Sequence, residues 1–354
     1  MHDFDKDTFQ MLKSNDPEAA KVLFDFAEDM NYLHTIDWEG DDGNVLANNT
    51  QLKRLSIELT SNVNKLDEKE HTSINNLLLS IQDNKSIQQL SIDGNLYLDM
   101  AETLSIMSPF IENNTNLRRL VLSGFTLDST NVKMLASALS NNKSIFAFGL
   151  NYCKGLTTDL LTQVVEVVEA SGILRLGLSQ YDMEDGVATT LGRLLCKSNI
   201  MKELVLGGTE WDENYTHVGS ITPVGMAAIS MHLSLENSSL EELDLRDNHI
   251  GAEGAWYLAN GLVNNTTLKV LDLSNSDVRT TGGIALSEAL RGNSTLEFLS
   301  LNSAMSPGLG DIILSDLGWE AFFRNLRHCA FRDLDLETNI IQDTQIANQY
   351  HVVT

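Results

Sequence analysis

The sequence has few of the residues that mark extracellular, nucleic-acid-binding or membrane-surface proteins. Only three of its 354 residues are cysteines, and a small odd number cannot form a disulfide framework, which is typical of a reducing compartment. Lys and Arg total 24 against 49 Asp and Glu, a formal net charge of −25. Such a charge repels phosphate backbones and anionic lipid surfaces. We therefore expect neither nucleic acid nor a membrane as a partner.

Targeting and membrane-spanning segments are also missing from the sequence. The opening residues, MHDFDKDTFQMLKSNDPEAA, are acidic and lack a basic region followed by an apolar stretch, so they do not have the pattern of a signal or transit peptide. No apolar run reaches the roughly 20 residues that a transmembrane helix needs. These features predict a cytoplasmic location, with the nucleus as an alternative. A hydrophobic content of 42% still allows a large core.

The sequence does contain one segment that recurs along most of its length. Segments of the form L-x-x-L-x-L begin at Leu52, Ile87, Leu117, Ile145, Ile173, Met201, Leu240, Leu268, Leu296 and Phe331. The commonest spacing is 28 residues, and a degenerate unit, LHTIDW, begins earlier at Leu33. A fixed period of this size predicts stacked repeats that bury one continuous core.

Within each repeat the spacing of apolar residues changes from every second residue to the 3.6-residue period of a helix, which predicts a strand followed by a helix. In one unit LEELDL is followed by GAWYLANGL, with apolar residues at helical spacing. Gly225, Gly254 and Gly283 are expected to precede their helices and to allow close backbone approach. Phrases such as NNTNL and NNKSI end the helices, and their asparagines are expected to form left-handed caps or turns.

The repeats also predict how the chain is organised. Residues 1–32 are expected to form an N-terminal helical cap, with Asp16 as the N-cap and Pro17 at the first helical position. Residues 33–354 are expected to form a solenoid of about 11 units, the first degenerate and the last incomplete. A terminal cap is needed because an open end would expose apolar surface and strand edges.

From Leu33 onward the repeats resemble the ribonuclease-inhibitor-like class of leucine-rich repeat proteins, whose unit of strand plus helix has 28 residues. The resemblance implies an α/β horseshoe with a concave parallel β-sheet and convex helices. It also implies a turn-bonding residue at the ninth position of each unit. That position holds Asn95, Cys153, Asn248 and Asn339, with Thr60, Thr209 and Ser276 as substitutes, and it departs from the pattern at Phe125, Tyr181 and Ala304.

Motifs for catalysis or metal binding are weak. The acidic segment IDWEGDDG has its glycine at the seventh place, whereas a calcium loop needs it at the sixth. Asp185, in the similar cluster SQYDMEDG, is expected to lie in a solvated acidic turn. Cys153 is explained by its place in the repeat as a buried turn residue. We therefore predict no catalytic residue, metal or cofactor.

A partner surface is predicted on the concave face of the C-terminal half. There the outward repeat positions place Glu242, Asp244, Arg246, Asp272 and Phe298 on one largely acidic floor. An insertion after the strand at Met201 carries Trp211 and Tyr215, residue types that dominate interface hot spots. The expected partner is another protein with a basic surface. The competing interpretation is that these residues only keep the sheet hydrated and that Trp211 covers a neighbouring turn.

Two functions fit these observations. The first is a non-catalytic interaction module or scaffold, so that the protein is not an enzyme. The second follows from a resemblance to the Ran GTPase-activating proteins, which share this class of repeat and accelerate GTP hydrolysis in a small GTPase. A sensor fragment of a NOD-like receptor and a ribonuclease inhibitor fit less well, since the chain has no nucleotide-binding domain and few cysteines.

Overall fold

The computed structural model describes residues 50, 52–58, 75–94, 99–155, 157–179, 185–197, 200–207, 221–302, 316–327, 329 and 331–336. The expected N-terminal cap, the degenerate unit at Leu33, the residues after 336, and both Trp211 and Tyr215 lie outside these ranges. The chain divides into two compact units, Met1–Leu156 with Glu166–Ile173, and Thr157–Val165 with Leu174–Thr354.

Strands and helices alternate along the chain. The strands are β1 (Arg54–Glu58), β2 (Gln89–Asp93), β3 (Arg119–Ser123), β4 (Ala147–Asn151), β5 (Arg175–Gly177), β6 (Glu203–Val205), β7 (Glu242–Asp244), β8 (Val270–Asp272), β9 (Phe298–Ser300) and β10 (Asp333–Asp335). The helices are α1 (Met100–Asn113), α2 (Ser129–Asn141), α3 (Thr158–Ser171), α4 (Asp185–Leu195), α5 (Pro223–Leu233), α6 (Gly251–Leu262), α7 (Arg279–Ala289) and α8 (Asp316–Leu326). Residues 75–80 are also helical.

Within each unit every strand pairs in parallel with the next strand along the chain. Strands β1 to β4 pair in this way in the first unit, and β5 to β10 do so in the second. The repeated leucines alternate along each strand, so that Leu243 and Leu245 are buried while the residues between them lie on the opposite sheet face. The predicted α/β solenoid of parallel strands and interleaved helices is confirmed.

Glycines within the helices, rather than before them, allow neighbouring helices to approach closely. Helices α5 and α6 begin at Pro223 and Gly251, so Gly225 and Gly254 lie in their first turns and the expected position was wrong. A Cβ atom on Gly225 would lie 2.6 Å from the Cβ of Ala188. The expected reason, close approach, is confirmed.

Asparagines at the helix ends connect one repeat to the preceding one. Asn114 and Asn142 have extended backbones, with φ of −78° and −86°, so the expected left-handed caps are not formed. Their side-chain Nδ2 atoms instead donate to the carbonyls of Asn84 and Asn114, each at 2.9 Å. We call Asn84, Asn114, Asn142, Asn265 and Asn293 the asparagine ladder; Asn293 donates to the Asn265 carbonyl at 3.2 Å.

The ninth repeat position also bonds the turns, as the resemblance implied. Asn248 is buried and donates through Nδ2 to the carbonyls of Leu206 at 2.8 Å and Leu245 at 2.9 Å. Ser276 substitutes through its hydroxyl, 2.9 Å from the same Leu245 carbonyl. Cys153 is buried, as expected, and its Sγ atom lies 3.4 Å from the Asn151 carbonyl oxygen. Burial raises the pKa of its thiol to about 11.

Candidate interaction surface

The sheet face of the second unit brings together the predicted site residues that the structure describes. Glu242 on β7, Val270 on β8 and Phe298 on β9 lie in register. Asp244 and Asp272 form the next row of the same face. Arg246 follows directly after β7. The predicted clustering of Glu242, Asp244, Arg246, Asp272 and Phe298 on one face is therefore seen, whereas Trp211 and Tyr215 lie outside the described residues.

The two aspartates do not form an open acidic floor. The Arg246 Nη2 atom lies 2.7 Å from Asp244 Oδ2 and 3.2 Å from Asp272 Oδ2. The side chains of these aspartates are only 10% and 12% exposed, while that of Arg246 is 53% exposed. We therefore correct the expectation that both carboxylates project into solvent: Arg246 covers them and compensates their charge.

Hydrogen bonds extend this arrangement toward β10. Asp272 Oδ1 accepts from the Ser274 hydroxyl at 2.6 Å, and the hydroxyl oxygens of Ser274 and Ser300 lie 2.7 Å apart. Ser300 also donates to Asp335 Oδ2 at 3.0 Å. We call the six residues Asp244, Arg246, Asp272, Ser274, Ser300 and Asp335 the sheet-face network. Because its members bond one another, the network is a preformed and partly covered polar surface.

Glu242 differs from the aspartates because it lacks a cation of its own. It lies in register with Glu203 on β6, and Glu203 is already paired with Arg175 at 2.9 Å. Within the described part of the chain, Glu242 forms neither an ion pair nor a side-chain hydrogen bond. Partial burial, followed by the nearby charge of Glu203, raises the pKa of the Glu242 carboxyl. This carboxylate is therefore suited to receive a cation from outside.

A second charged row lies at the strand beginnings and was missed by sequence reasoning. The second position of successive repeats alternates in sign and holds Lys202, Glu241, Lys269, Glu297 and Arg332, which we call the charge ladder. Glu241 pairs with Lys202 at 2.8 Å and with Lys269 at 2.5 Å, and Arg332 pairs with Glu297 at 3.1 Å. The alternation of charge is visible in the sequence, but the prediction placed only the third, fifth, seventh and eighth positions of each repeat on the exposed sheet face.

The charge ladder predicts a small acid-sensitive contribution to stability. Hydrogen bonds from Lys202 and Lys269 lower the pKa of Glu241 to about 2, so its contribution is complete above its ordinary pKa of 4.5 and lost as the pH falls toward 2. Because the side chain is 35% exposed, we expect Glu241→Gln to lower the free energy of unfolding by less than about 1 kcal/mol. Urea unfolding should show a difference in stability between Glu241→Gln and the original chain at pH 7, and this difference should disappear as the pH falls to 2. The exposed Glu320→Gln variant is the control, and an unchanged difference at pH 2 would contradict the prediction.

Asp185 is a structural cap rather than a solvated acidic residue. Its Oδ1 atom accepts from the backbone N–H groups of Thr222 at 2.9 Å and Gly225 at 3.0 Å. Its Oδ2 atom accepts from the Thr222 hydroxyl at 2.5 Å. These donors begin α5, so the carboxylate on α4 caps the helix of the next repeat. The expectation of a solvated turn was wrong for Asp185.

Apolar side chains are exposed on the helical side of the second unit. Val224 and Met231 on α5 are 65% and 63% exposed, Trp256 on α6 is 53% exposed, and Val263 directly after α6 is 56% exposed. The rings of Trp256 and Tyr257 meet edge to face, with centroids 5.4 Å apart. We call Val224, Met231, Trp256 and Val263 the helical apolar patch.

Neither a metal-binding cluster nor a membrane-spanning helix occurs among the described residues. They contain no group of three or more His, Cys, Asp or Glu side chains placed to hold a metal ion. None of their helices combines the length and the apolar character needed to cross a bilayer.

Comparison with known proteins agrees with the repeat geometry. A family model for leucine-rich repeats matches residues 236–259 and 264–287, which contain β7, β8 and most of α6 and α7. Two leucine-rich repeats are therefore identified in this part of the chain. No curated protein matches the sequence significantly.

Several solved structures are similar to parts or most of this chain. The yeast Rad7–Elc1 complex has a chain with 14% identity and a TM-score of 0.48, matching 98% of this chain and 84% of that one. A protein from Bacteroides fragilis has 13% identity and a TM-score of 0.49, with 91% and 84% covered. The actin-binding site 2 of leiomodin-1 has 14% identity and a TM-score of 0.33, with 48% and 90% covered.

Proposed function

We propose that this leucine-rich repeat protein is a non-catalytic interaction module that binds a protein with a basic surface through the sheet face of its second unit. Leucine-rich repeats provide extended surfaces that bind other proteins. The observation that carries the proposal is the Glu242 carboxylate, which is partly buried, lies beside Glu203 and has no cation of its own among the described residues.

The neighbours of Glu242 define what the partner presents. Val270 and Phe298 are half-buried and continue its row on the next two strands, at about 4.8 Å per strand. Arg246 is exposed above the covered aspartates and repels a second cation there. The partner therefore places one Lys or Arg at Glu242 and an apolar side chain toward Phe298, about 10 Å away.

Reversing the charge of Glu242 provides the test. We expect Glu242→Lys to weaken binding of the captured partner by about tenfold or more, since a buried cation–carboxylate contact becomes a repulsion. Affinity capture from extracts, followed by measurement of the dissociation constant with the purified partner, gives the effect. Glu236→Lys, which reverses an exposed charge after α5, is the matched control and should bind normally.

The pH dependence of the affinity for the partner tests the role of Glu242 independently. Because the pKa of Glu242 is raised, protons compete with the partner's cation and affinity should fall as the pH is lowered from 7 toward 5. This fall should be weaker in Glu242→Gln, which has no titrating carboxyl. If Glu242→Lys binds the same partner with the original affinity, the sheet-face proposal is wrong and the helical apolar patch becomes the surface to test.

GTPase activation remains the alternative function, and here the expected result is negative. The arginines Arg175 and Arg246 on the sheet face of the second unit are held by Glu203 and by the two covered aspartates, so neither of these two is available to stabilise phosphate charge. We expect no stimulation of GTP hydrolysis by a Ran-like GTPase in a single-turnover phosphate-release assay. A hundredfold stimulation, equal to about 2.7 kcal/mol of barrier lowering, would favour the alternative.

A further inference from the structure

The first unit has a basic surface, although the whole chain carries a net charge of −25. It lies where β1 to β4 begin, at the same repeat positions as the charge ladder of the second unit and in the turns just before them. Its cations are Lys53, Lys85, Arg118, Arg119 and Lys143, which we call the basic edge. Lys85, Arg119 and Lys143 are exposed, and Lys53 and Arg118 are half-buried.

Backbone hydrogen bonds hold the central row of this surface together. Gln88 N–H donates to the Lys53 carbonyl at 2.7 Å, Arg118 N–H to the Gln88 carbonyl at 2.7 Å, and Phe146 N–H to the Arg118 carbonyl at 3.0 Å. In the next row Arg119 lies in register with Gln89. The chemical order across the strands is therefore cation, amide, cation and aromatic, fixed by the sheet.

The charge ladder provides a comparison within the same chain. In the second unit a carboxylate stands between two cations, and Glu241 pairs with both Lys202 and Lys269. In the first unit Gln88 takes the place of that carboxylate, so Lys53 and Arg118 have no anion between them. Within the described residues none of the basic-edge side chains forms an ion pair.

The contacts that these cations do make leave their charges uncompensated. The Arg118 Nη1 atom donates to the carbonyls of Thr115 at 2.9 Å and Ser144 at 3.3 Å, and Lys143 Nζ donates to the Ser140 carbonyl at 2.8 Å. Neutral carbonyls fix the direction of the side chains without neutralising them. Asp83 and Glu112, which lie close in sequence to Lys85 and Arg118, form no ion pair with these cations among the described residues.

We propose that the basic edge binds a short acidic segment of a partner protein in an extended conformation. Arginine and lysine recognise carboxylates directly, the exposed Gln88 amide can hydrogen-bond a peptide backbone, and Phe146, 39% exposed, offers an apolar contact at the end of the row. The four strands span about 14 Å, which matches roughly four residues of extended peptide. A long nucleic acid fits less well because it would extend past this short edge over a chain of strongly negative charge.

A defined peptide tests this surface without knowledge of the partner. The probe is a fluorescein-labelled peptide of three Glu-Ala-Glu-Leu repeats, with the corresponding glutamine peptide as a neutral control and a single-stranded oligouridine of equal length as a polyanion control. Fluorescence anisotropy should show binding of the glutamate peptide that weakens with added salt, and no comparable binding of the glutamine peptide.

Two charge-reversal variants distinguish binding at the basic edge from a nonspecific effect of net charge. We expect Arg118→Glu with Arg119→Glu to weaken peptide binding by about tenfold or more. Lys85→Glu with Lys143→Glu should do the same and retains the Arg118 hydrogen bonds to the turns. The control is Lys133→Glu with Lys154→Glu, an equal charge change at exposed residues of the same unit away from the edge.

The outcomes are distinct once circular dichroism has shown which variants fold. Loss of binding in a folded edge variant but not in the control supports the proposal. Equal binding by the edge and control variants overturns it, as does tighter binding of the oligouridine than of the glutamate peptide, which would assign the surface to nucleic acid. Because Glu242 lies on the second unit, none of these results depends on the partner proposed for that sheet face.

Discussion

Replacement of Arg246 by alanine is expected to lower the free energy of unfolding by about 3 kcal/mol. Arg246 is the cation that Asp244 and Asp272 share, at 2.7 Å and 3.2 Å. Without it two carboxylates, only 10% and 12% exposed, would lie side by side on adjacent strands with uncompensated charge. Loss of one partner from a covered ion pair costs much more than the net value of the pair, because the remaining charges cannot regain their full hydration.

Removing the charges that Arg246 compensates should restore much of this stability. We expect Arg246→Ala combined with Asp244→Asn and Asp272→Asn to unfold at a urea concentration well above that of Arg246→Ala alone. Arg332→Ala is the control, since the Arg332 side chain is 79% exposed in its pair with Glu297 and such surface pairs contribute about 1 kcal/mol or less. An equal loss in Arg246→Ala and Arg332→Ala would mean that Arg246 does not stabilise the sheet face.

Addition of one methyl group at Gly192 is also expected to lower the free energy of unfolding. A Cβ atom there would lie 2.4 Å from the carbonyl carbon and 2.8 Å from the Cβ of Ala228. The obstacle is backbone of the next helix, which cannot rotate away as a flexible side chain can. Overpacking of this kind costs about 1–3 kcal/mol, which should exceed the helix-propensity gain of about 1 kcal/mol from replacing glycine.

Gly186 offers a matched control on the same helix. A Cβ atom on Gly186 would meet the Oγ1 atom of Thr158 at 2.9 Å, and a side-chain hydroxyl can rotate to give way. Urea unfolding should therefore show a clear loss of stability for Gly192→Ala and little loss for Gly186→Ala. If Gly192→Ala is as stable as the original chain, α4 and α5 are not in the close contact described above.

The fold could be predicted because each of its features follows from a separate pattern of apolar residues. Leucine recurrence sets the repeat length, alternation sets the strands, and helical spacing sets the buried side of each helix; Leu258 and Leu262 are buried as that spacing requires. The starts of the helices were less accurate, since Gly254 was expected before its helix and lies inside it. Its small size, which allows the close approach that was expected, explains the glycine at that place.

The candidate site could be predicted only in outline. Sequence periodicity placed Asp244, Arg246 and Asp272 on one face, but it could not show that a long arginine side chain bends back over both carboxylates. The same limit applies to Asp185, whose bonds to Thr222 depend on how two adjacent repeats are stacked. Comparing single repeat positions across units would have revealed the charge ladder, because its alternation is present in the sequence itself.

The asparagine ladder determines where a leucine-rich repeat of this kind can lengthen during evolution. From each ladder residue to the first apolar residue of the next repeat the distance is constant, as in Asn142 to Ile145 and Asn265 to Leu268, because the asparagine Oδ1 atom accepts a hydrogen bond from the backbone N–H of that apolar residue. On the other side of the strand the distance varies: α6 begins soon after β7, whereas among the described residues the next helix after Val205 begins at Pro223. New loops can therefore arise between strand and helix without breaking the bonds between repeats, and a duplicated unit brings its own asparagine to join the array.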